Sequence, residues 1–345
     1  MKVKIDNKQN NQTTIMEVAL AAGVSLATVS RVTNHPEKVK KETRDKIERI
    51  IKEKGYKPNL NAKSLASAKS TTIAVIVPEL ARSSMGGLVD GIAACAQKRG
   101  YLIRLFVNNP RSEFHMDERE LFGLVLSSVV DGILVIGDEV NEEVIELIKN
   151  SYAPVVLTNS VSDDPDIPSV SADYTKAVKE VTDEMIKRGN KKIWFVSTIH
   201  KYLTNDLKIA GYKEAMASAG LDPIVKYVPG DPELNFNIFQ EELKNDRPDV
   251  AIVVRDSMAV SLLNAARSVH LSVPNDIQII GCQNAKYAEL ARPSLTSINT
   301  PVYDLGEAAM DLLKELIDAM SSDEEVNIDA QRFIDYNIIW RDSTK

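Results

Sequence analysis

Two cysteines in 345 residues, Cys95 and Cys282, leave nothing from which to build a disulfide framework. Both sit in apolar segments far apart in the chain, so a reduced, cytoplasmic protein is expected. Histidine is equally scarce. His35, His115, His200 and His270 stand alone, without Cys, Asp or Glu at metal-ligand spacing. The sequence also lacks a Walker-type or GxGxxG phosphate loop and a G-x-S-x-G elbow. No catalytic residue, metal site or cofactor is therefore expected, and an enzyme has no starting point here. No apolar run approaches the length of a membrane span. The opening MKVKIDNKQNNQTT carries charge but no hydrophobic segment, so it reads as a disordered tail over residues 1–13 rather than a secretory signal.

Positive charge is short overall, with a net of −7, but it is not spread evenly. Residues 1–69 hold 15 Lys and Arg against 7 Asp and Glu, a balance of +8. The remainder holds 27 against 42, a balance of −15. A basic head on an acidic body concentrates attraction for a polyanion at one end of the chain.

What fills that head is specific. Residues 14–35 read TIMEVALAAGVSLATVSRVTNH, with Ile15, Val18, Ala19 and Ala22 at helical spacing. Gly23 then allows a tight turn, because a residue without Cβ enters left-handed geometry cheaply. Ser25 follows as the N-cap of a second helix that carries Val29 and Val32 inward. The pattern is a helix-turn-helix, whose second helix fits the major groove. Its exposed positions are Leu26, Ala27, Thr28, Ser30 and Arg31: small side chains for close approach, hydroxyls for phosphates, and a planar fork that matches guanine O6 and N7. An ordinary helical hairpin is the competing reading, and the coinciding basic charge weighs against it.

A third helix is expected from about Glu42 to Lys54, with Ile47, Ile50 and Ile51 as its buried stripe and Gly55 as its stop. Residues 59–70, NLNAKSLASAKS, have length for about two helical turns, too few to be stable alone in water. Either this is a solvated linker or it becomes helical only against DNA. From Thr71 onward buried strands at 71–78, 101–107, 131–137, 153–159, 191–197, 224–230, 249–254 and 277–282 alternate with amphipathic helices. That rhythm predicts parallel sheets with helices on both faces, arranged as two lobes. Ligands of such sheets bind beyond the carboxyl ends of the strands, here a cleft between the lobes.

The segments EVALAAGVSLATVSRVTN (17–34), ETRDKIERIIKEKGYKPNLNAKSLAS (42–67), TTIAVIVPEL (71–80), VDGILVIG (130–137), AGYKEAM (210–216), VPNDIQIIG (273–281) and RPSLTSI (292–298) resemble the lactose/galactose repressor family along nearly the whole chain. Within it the likeness is greatest to the catabolite-control branch. The resemblance implies an α/β protein: a small all-α helix-turn-helix headpiece and a two-lobed, periplasmic-binding-protein-like body. The implied layout is a headpiece over 14–58, a hinge over 59–70, one lobe from 71–161 and 298–325, and the other from 162–297 and 326–345. It further implies a homodimeric, cytoplasmic regulator of carbohydrate genes, bound to a pseudo-palindromic double-stranded DNA operator.

By matching positions, Leu26, Ala27 and Arg31 would touch base edges, and Thr14, Thr28, Ser30 and Asn34 would position phosphates. Asn59, Ala62, Lys63, Leu65 and Ala66 would enter the minor groove, with Leu65 as the wedge that unstacks a central step. Lys63 stands where the family usually carries Arg, and so lacks the planar fork. In the cleft the implied residues are Ser84, Lys208, Asp256 and Gln283. Lys208 replaces the Arg of sugar-responsive members, Gln283 replaces an Asp, and no aromatic neighbours Ser84. Asp256 also reads as an N-cap of the helix after it. Tyr303 and Asp304 match a segment that docks a serine-phosphorylated phosphocarrier protein, but Asp311 and Glu315 occupy positions that are basic in the branch. Two acids would repel the phosphate, so the phosphoprotein is captured differently or is not used; a sugar phosphate is the other candidate effector. A sugar-binding protein without a transcriptional role remains the alternative to this reading.

Overall fold

The computed structural model describes residues 15–34, 38–54, 71–80, 83–109, 112–137, 142–162, 164–321 and 328–345. The expected tail and hinge lie outside these residues. The chain divides into two compact units, Met1–Ser70 and Thr71–Lys345.

In the first unit, helices α1 (Ile15–Ala22), α2 (Leu26–Asn34) and α3 (Lys41–Lys54) enclose a small core of Val18, Ala19, Ala22, Val29, Val32 and Ile47. The turn forms as its residues dictate. Gly23 takes φ +65°, and the Ser25 side chain accepts from the Thr28 backbone N–H at 3.2 Å, capping α2.

The second unit contains two six-stranded sheets. In the first, the order is β11-β5-β4-β3-β1-β2, from β1 (Thr72–Val77), β2 (Leu102–Val107), β3 (Gly132–Ile136), β4 (Val155–Thr158), β5 (Ser169–Ala172) and β11 (Gln331–Ile334). Its central strands β1, β3 and β4 are almost wholly apolar because helices cover both faces of the sheet. On one face α4 (Ser83–Lys98) and α12 (Val302–Ala319) bury Leu88, Ile92, Leu305 and Leu313. On the other, α5 (Glu118–Ser127) and α6 (Glu142–Lys149) bury Leu121, Phe122, Val125 and Val144.

The second sheet runs β12-β10-β9-β8-β6-β7, from β6 (Ile193–Thr198), β7 (Ile224–Val228), β8 (Val250–Val253), β9 (Gln278–Gly281), β10 (Thr296–Asn299) and β12 (Asn337–Ile339). Its helices are α7 (Tyr174–Lys187) packed on α8 (Leu203–Ser218), and α9 (Pro232–Asn245) packed on α10 (Asp256–Ser268). A short α11 (Lys286–Leu290) follows β9.

Four details differ from expectation. β5 belongs to the first sheet, so the first lobe runs beyond residue 161 to the end of that strand. β10 belongs to the second sheet through Asn299, so the return to the first lobe comes after 298. β11 pairs with β5 in the first sheet, so residues 326–345 do not belong whole to the second lobe, and β12 runs antiparallel to β10 in an otherwise parallel sheet. The cause is common to all: these are three- and four-residue strands, several built on Ser, Thr or Asn, and they present no apolar run.

Candidate functional site

The headpiece offers one face for a duplex. Leu26, Ala27 and Arg31 of α2 are exposed, and Thr28 is half-buried. The Thr28 hydroxyl lies 2.9 Å from that of Ser25, so it serves the cap as well as any outside partner. α3 adds Lys41, Arg44, Lys46, Arg49, Lys52 and Lys54, and Arg44 meets Asp45 and Glu48 only loosely at 3.9 and 4.0 Å. Ser30 and Asn34 lie on α2. Thr14, Asn59, Ala62, Lys63, Leu65 and Ala66 fall outside the described residues.

In the second unit a pocket lies between the lobes, at the carboxyl ends of their strands. Asn159 follows β4, Arg255 follows β8, Gln283 follows β9 and Thr300 follows β10; Ser84 opens α4, and Asn205 and Lys208 project from α8. Of the four expected cleft residues, Ser84, Lys208 and Gln283 line it. Two aromatic walls, Tyr174 and Tyr202, were not anticipated, because neither stands near Ser84 in sequence. Lys208 is only 5% exposed, with Nζ 4.7 Å from the centre of the Tyr174 ring. Arg255 lies over Tyr202 at 5.1 Å. Tyr174 donates to Asn159 Oδ1 at 2.6 Å, and burial pushes its hydroxyl pKa well above the usual phenol value. Cys282, also in the lining, is fully buried and its thiol is pushed up to about 12, so it is no nucleophile. Two cations, two rings and a set of amides and hydroxyls suit a polar or anionic small molecule. The volume, about 50 Å³, is far below the 300 Å³ or so at which small-molecule pockets begin.

Asp256 is absent from that lining. Its side chain is wholly buried behind the pocket, accepting from the Ser297 hydroxyl at 2.8 Å and from the Ala285 backbone N–H at 2.6 Å. Nor does it cap α10: the capping position is Arg255, and no side chain bonds there. Ser297 Oγ in turn accepts from the N–H groups of Gln283 and Asn284 at 3.2 and 2.9 Å. Asn284 takes φ +49° and is held by Arg341, which donates to its Oδ1 at 2.7 Å. Asp256 therefore fixes the loop that delivers Gln283, instead of meeting a ligand. Burial raises its carboxyl pKa, offset in part by the Ser297 and backbone hydrogen bonds.

On α12, Tyr303 and Asp304 are exposed in the first turn. Asp311 and Glu315 do not stand as bare charges. Arg99 donates to Asp311 through Nε at 2.8 Å, and Arg332 grips Glu315 through both terminal nitrogens at 2.6 and 3.1 Å. The expected repulsion of a phosphate is thus largely neutralised, but the two guanidinium groups are committed to these acids. Among the described residues no group of His, Cys, Asp and Glu could hold a metal ion.

Comparison with known proteins accounts for both units. Residues 14–59 match the family described as bacterial regulatory proteins, lacI family, and residues 182–344 match the periplasmic binding protein-like domain. Catabolite control protein A of Priestia megaterium is 36% identical over 318 residues, covering 91% of this chain and 95% of its own. The protein of that name from Staphylococcus xylosus is 34% identical over 322 residues, covering 90% and 94%. Among solved structures, transcription regulator CcpA of Lactococcus lactis aligns with a TM-score of 0.68 at 32% identity, over 79% of this chain and 99% of its own. The Lac repressor dimer bound to operator and an anti-inducer aligns with a TM-score of 0.87 over 96% and 99%; at 21% identity it speaks for the fold alone.

Proposed function

The chain belongs to the lacI family of bacterial regulatory proteins, and from that premise we propose how it works as a DNA-binding transcriptional repressor of carbohydrate genes. The observation that carries the reading is the exposed face of α2, with Leu26, Ala27 and Arg31 presented together on a basic unit. Arg31 reads a guanine edge, Leu26 and Ala27 meet bases by shape, and Thr28, Ser30, Asn34 and Thr14 position phosphates. The hinge residues Asn59, Ala62, Lys63, Leu65 and Ala66 follow into the minor groove. Replacing Arg31→Ala lowers affinity for the preferred operator by about 1–3 kcal/mol and relaxes base preference at one position. Competition gel shifts with single-base operator variants measure it. An equal loss on random duplex would make Arg31 a phosphate contact.

The operator-bound form is a homodimer. Both sheets end in a strand with outward apolar groups: Leu102, Leu105 and Val107 on β2, and Tyr227 on β7. Unpaired apolar edges of this kind call for a partner. Leu105→Asp is expected to shift the sedimentation coefficient from dimer to monomer, and operator affinity is expected to fall with it. A dimer of unchanged stability would place the interface elsewhere.

The cleft sets how firmly the headpiece binds. Lys208 and Arg255 favour an anionic sugar derivative, a sugar phosphate, over a neutral sugar, and the small volume requires the lobes to part as it enters. The phosphocarrier protein is the weaker candidate for the α12 surface, because Arg99 and Arg332 are already paired with Asp311 and Glu315. No helix among the described residues is long and apolar enough to cross a membrane, and we place the protein in the cytoplasm with its duplex. A sugar-binding protein without a transcriptional role would leave the exposed face of α2 without a purpose.

A further inference from the structure

We propose that a second cavity, on the opposite face of the first sheet from the polar pocket, binds a small uncharged aromatic molecule with one hydrogen-bonding group, of the phenol class. The cavity measures about 230 Å³ and lies beside the carboxyl ends of β1 and β3, where α5 and α6 cover the sheet. Its floor is Ile76, Leu121, Phe122, Val135 and Val144, all buried in the core on that face. The polar pocket instead abuts Met85 and Leu88, which belong to the core under α4 and α12. Among the described residues the two spaces have only Ile136 and Gly137 in common.

Size and chemistry together select the ligand. A dry apolar cavity of about 150 Å³ already holds benzene, so this one has room for one substituted ring. A sugar is excluded because its hydroxyls would face hydrocarbon without partners. The rim carries His115 and Glu118 from the first lobe and His200 from the second. An ionised ligand is disfavoured too, because the hydrocarbon floor offers its charge nothing in return for the water it would lose. Asn108 also borders the space, but its amide holds the chain at Met116, donating at 2.8 Å and accepting at 2.9 Å, and so serves as wall. Neither imidazole makes a ring-nitrogen hydrogen bond among the described residues, so both remain available to a single hydroxyl.

The floor comes from one lobe and part of the rim from the other, so occupancy favours the lobe arrangement that brings His200 to the rim. The His200 ring meets Tyr202 edge-on at 4.6 Å between centres, and Tyr202 is a wall of the polar pocket. A ligand in the apolar cavity thus touches His200, whose ring partner Tyr202 borders the polar pocket.

Ligand-observed NMR on the full chain tests this with phenol, benzoate and toluene, independently of any DNA. Phenol is expected to bind saturably, and benzoate at least about tenfold more weakly because its carboxylate would be desolvated over an apolar floor. Val144→Phe fills the floor and is expected to weaken phenol by more than about tenfold while the thermal unfolding transition persists. Should that variant not fold, the double substitution His115→Ala with His200→Ala leaves the floor intact, and phenol should weaken while toluene does not. Non-saturable phenol, benzoate binding as well as phenol, phenol affinity unmoved by folded Val144→Phe, or phenol affinity unmoved by the double histidine variant would each overturn the proposal.

Discussion

Shortened to Thr71–Lys345, the protein keeps its body and loses duplex binding altogether. The two units are separately compact, so the body retains its own core when the first seventy residues are removed. What goes with them is the entire positive balance: the remainder carries 27 basic residues against 42 acidic ones. An acidic body does not merely lack contacts; it is repelled by phosphate. In the full chain, neutralising six to ten phosphates makes affinity fall about 10³- to 10⁵-fold between 50 and 200 mM salt. Gel shifts across that range, with full and shortened chains side by side, read both effects. Salt-dependent operator binding by the shortened chain would remove the headpiece from the mechanism, whatever the identity of the effector.

The headpiece was legible because its signals are local. Gly23 and Ser25 mark the turn by backbone chemistry that needs no tertiary partner, and the apolar residues around them repeat at helical spacing. The central strands were legible for the related reason that burial on both faces demands unbroken apolar runs, as in Thr72–Val77. β5 and β10 escaped because Ser169, Ser171, Thr296 and Ser297 are buried by pairing and by side-chain hydrogen bonds, which leave no hydropathy signal. The lobe borders went astray with them.

Part of the cleft was hidden for a second reason. Lys208, Ser84 and Gln283 were found by position in family motifs, whereas Tyr174 and Tyr202 enter the pocket from segments far from Ser84, and only the crossing of the chain between lobes brings them there. Residues that come just after a strand in such sheets face the cleft, and Arg255, close behind β8, carries that signal in the sequence. Asp256 shows the opposite error. A motif acid at a cleft looks like a ligand contact, but its surroundings make it a brace.

That brace supports the last prediction, a double-mutant cycle between Gly281 and Asp256. A Cβ at Gly281 would stand 1.9 Å from Asp256 Oδ1 and 3.1 Å from Ser297 Oγ, so Gly281→Ala must displace the carboxylate. The Ala285 N–H and the Ser297 hydroxyl then lose a charged acceptor inside the protein, at a cost on the order of 2–4 kcal/mol. Asp256→Ala abandons the same two donors and should cost a similar amount. Because one carboxylate carries both losses, the pair is expected to fall short of additivity by at least about 1 kcal/mol in urea unfolding, the new methyl entering space the carboxylate has left. Acidity offers a check of sign. Burial holds the Asp256 pKa above its ordinary value, so the folded state binds a proton more readily than the unfolded chain, and stability at this group rises as pH falls through the carboxylate range. The stability of wild type relative to Asp256→Asn, which does not titrate there, should therefore shift in the wild type's favour on acidification. Costs that simply add would mean that Gly281 and Asp256 act separately, and the loop carrying Gln283 would need another support.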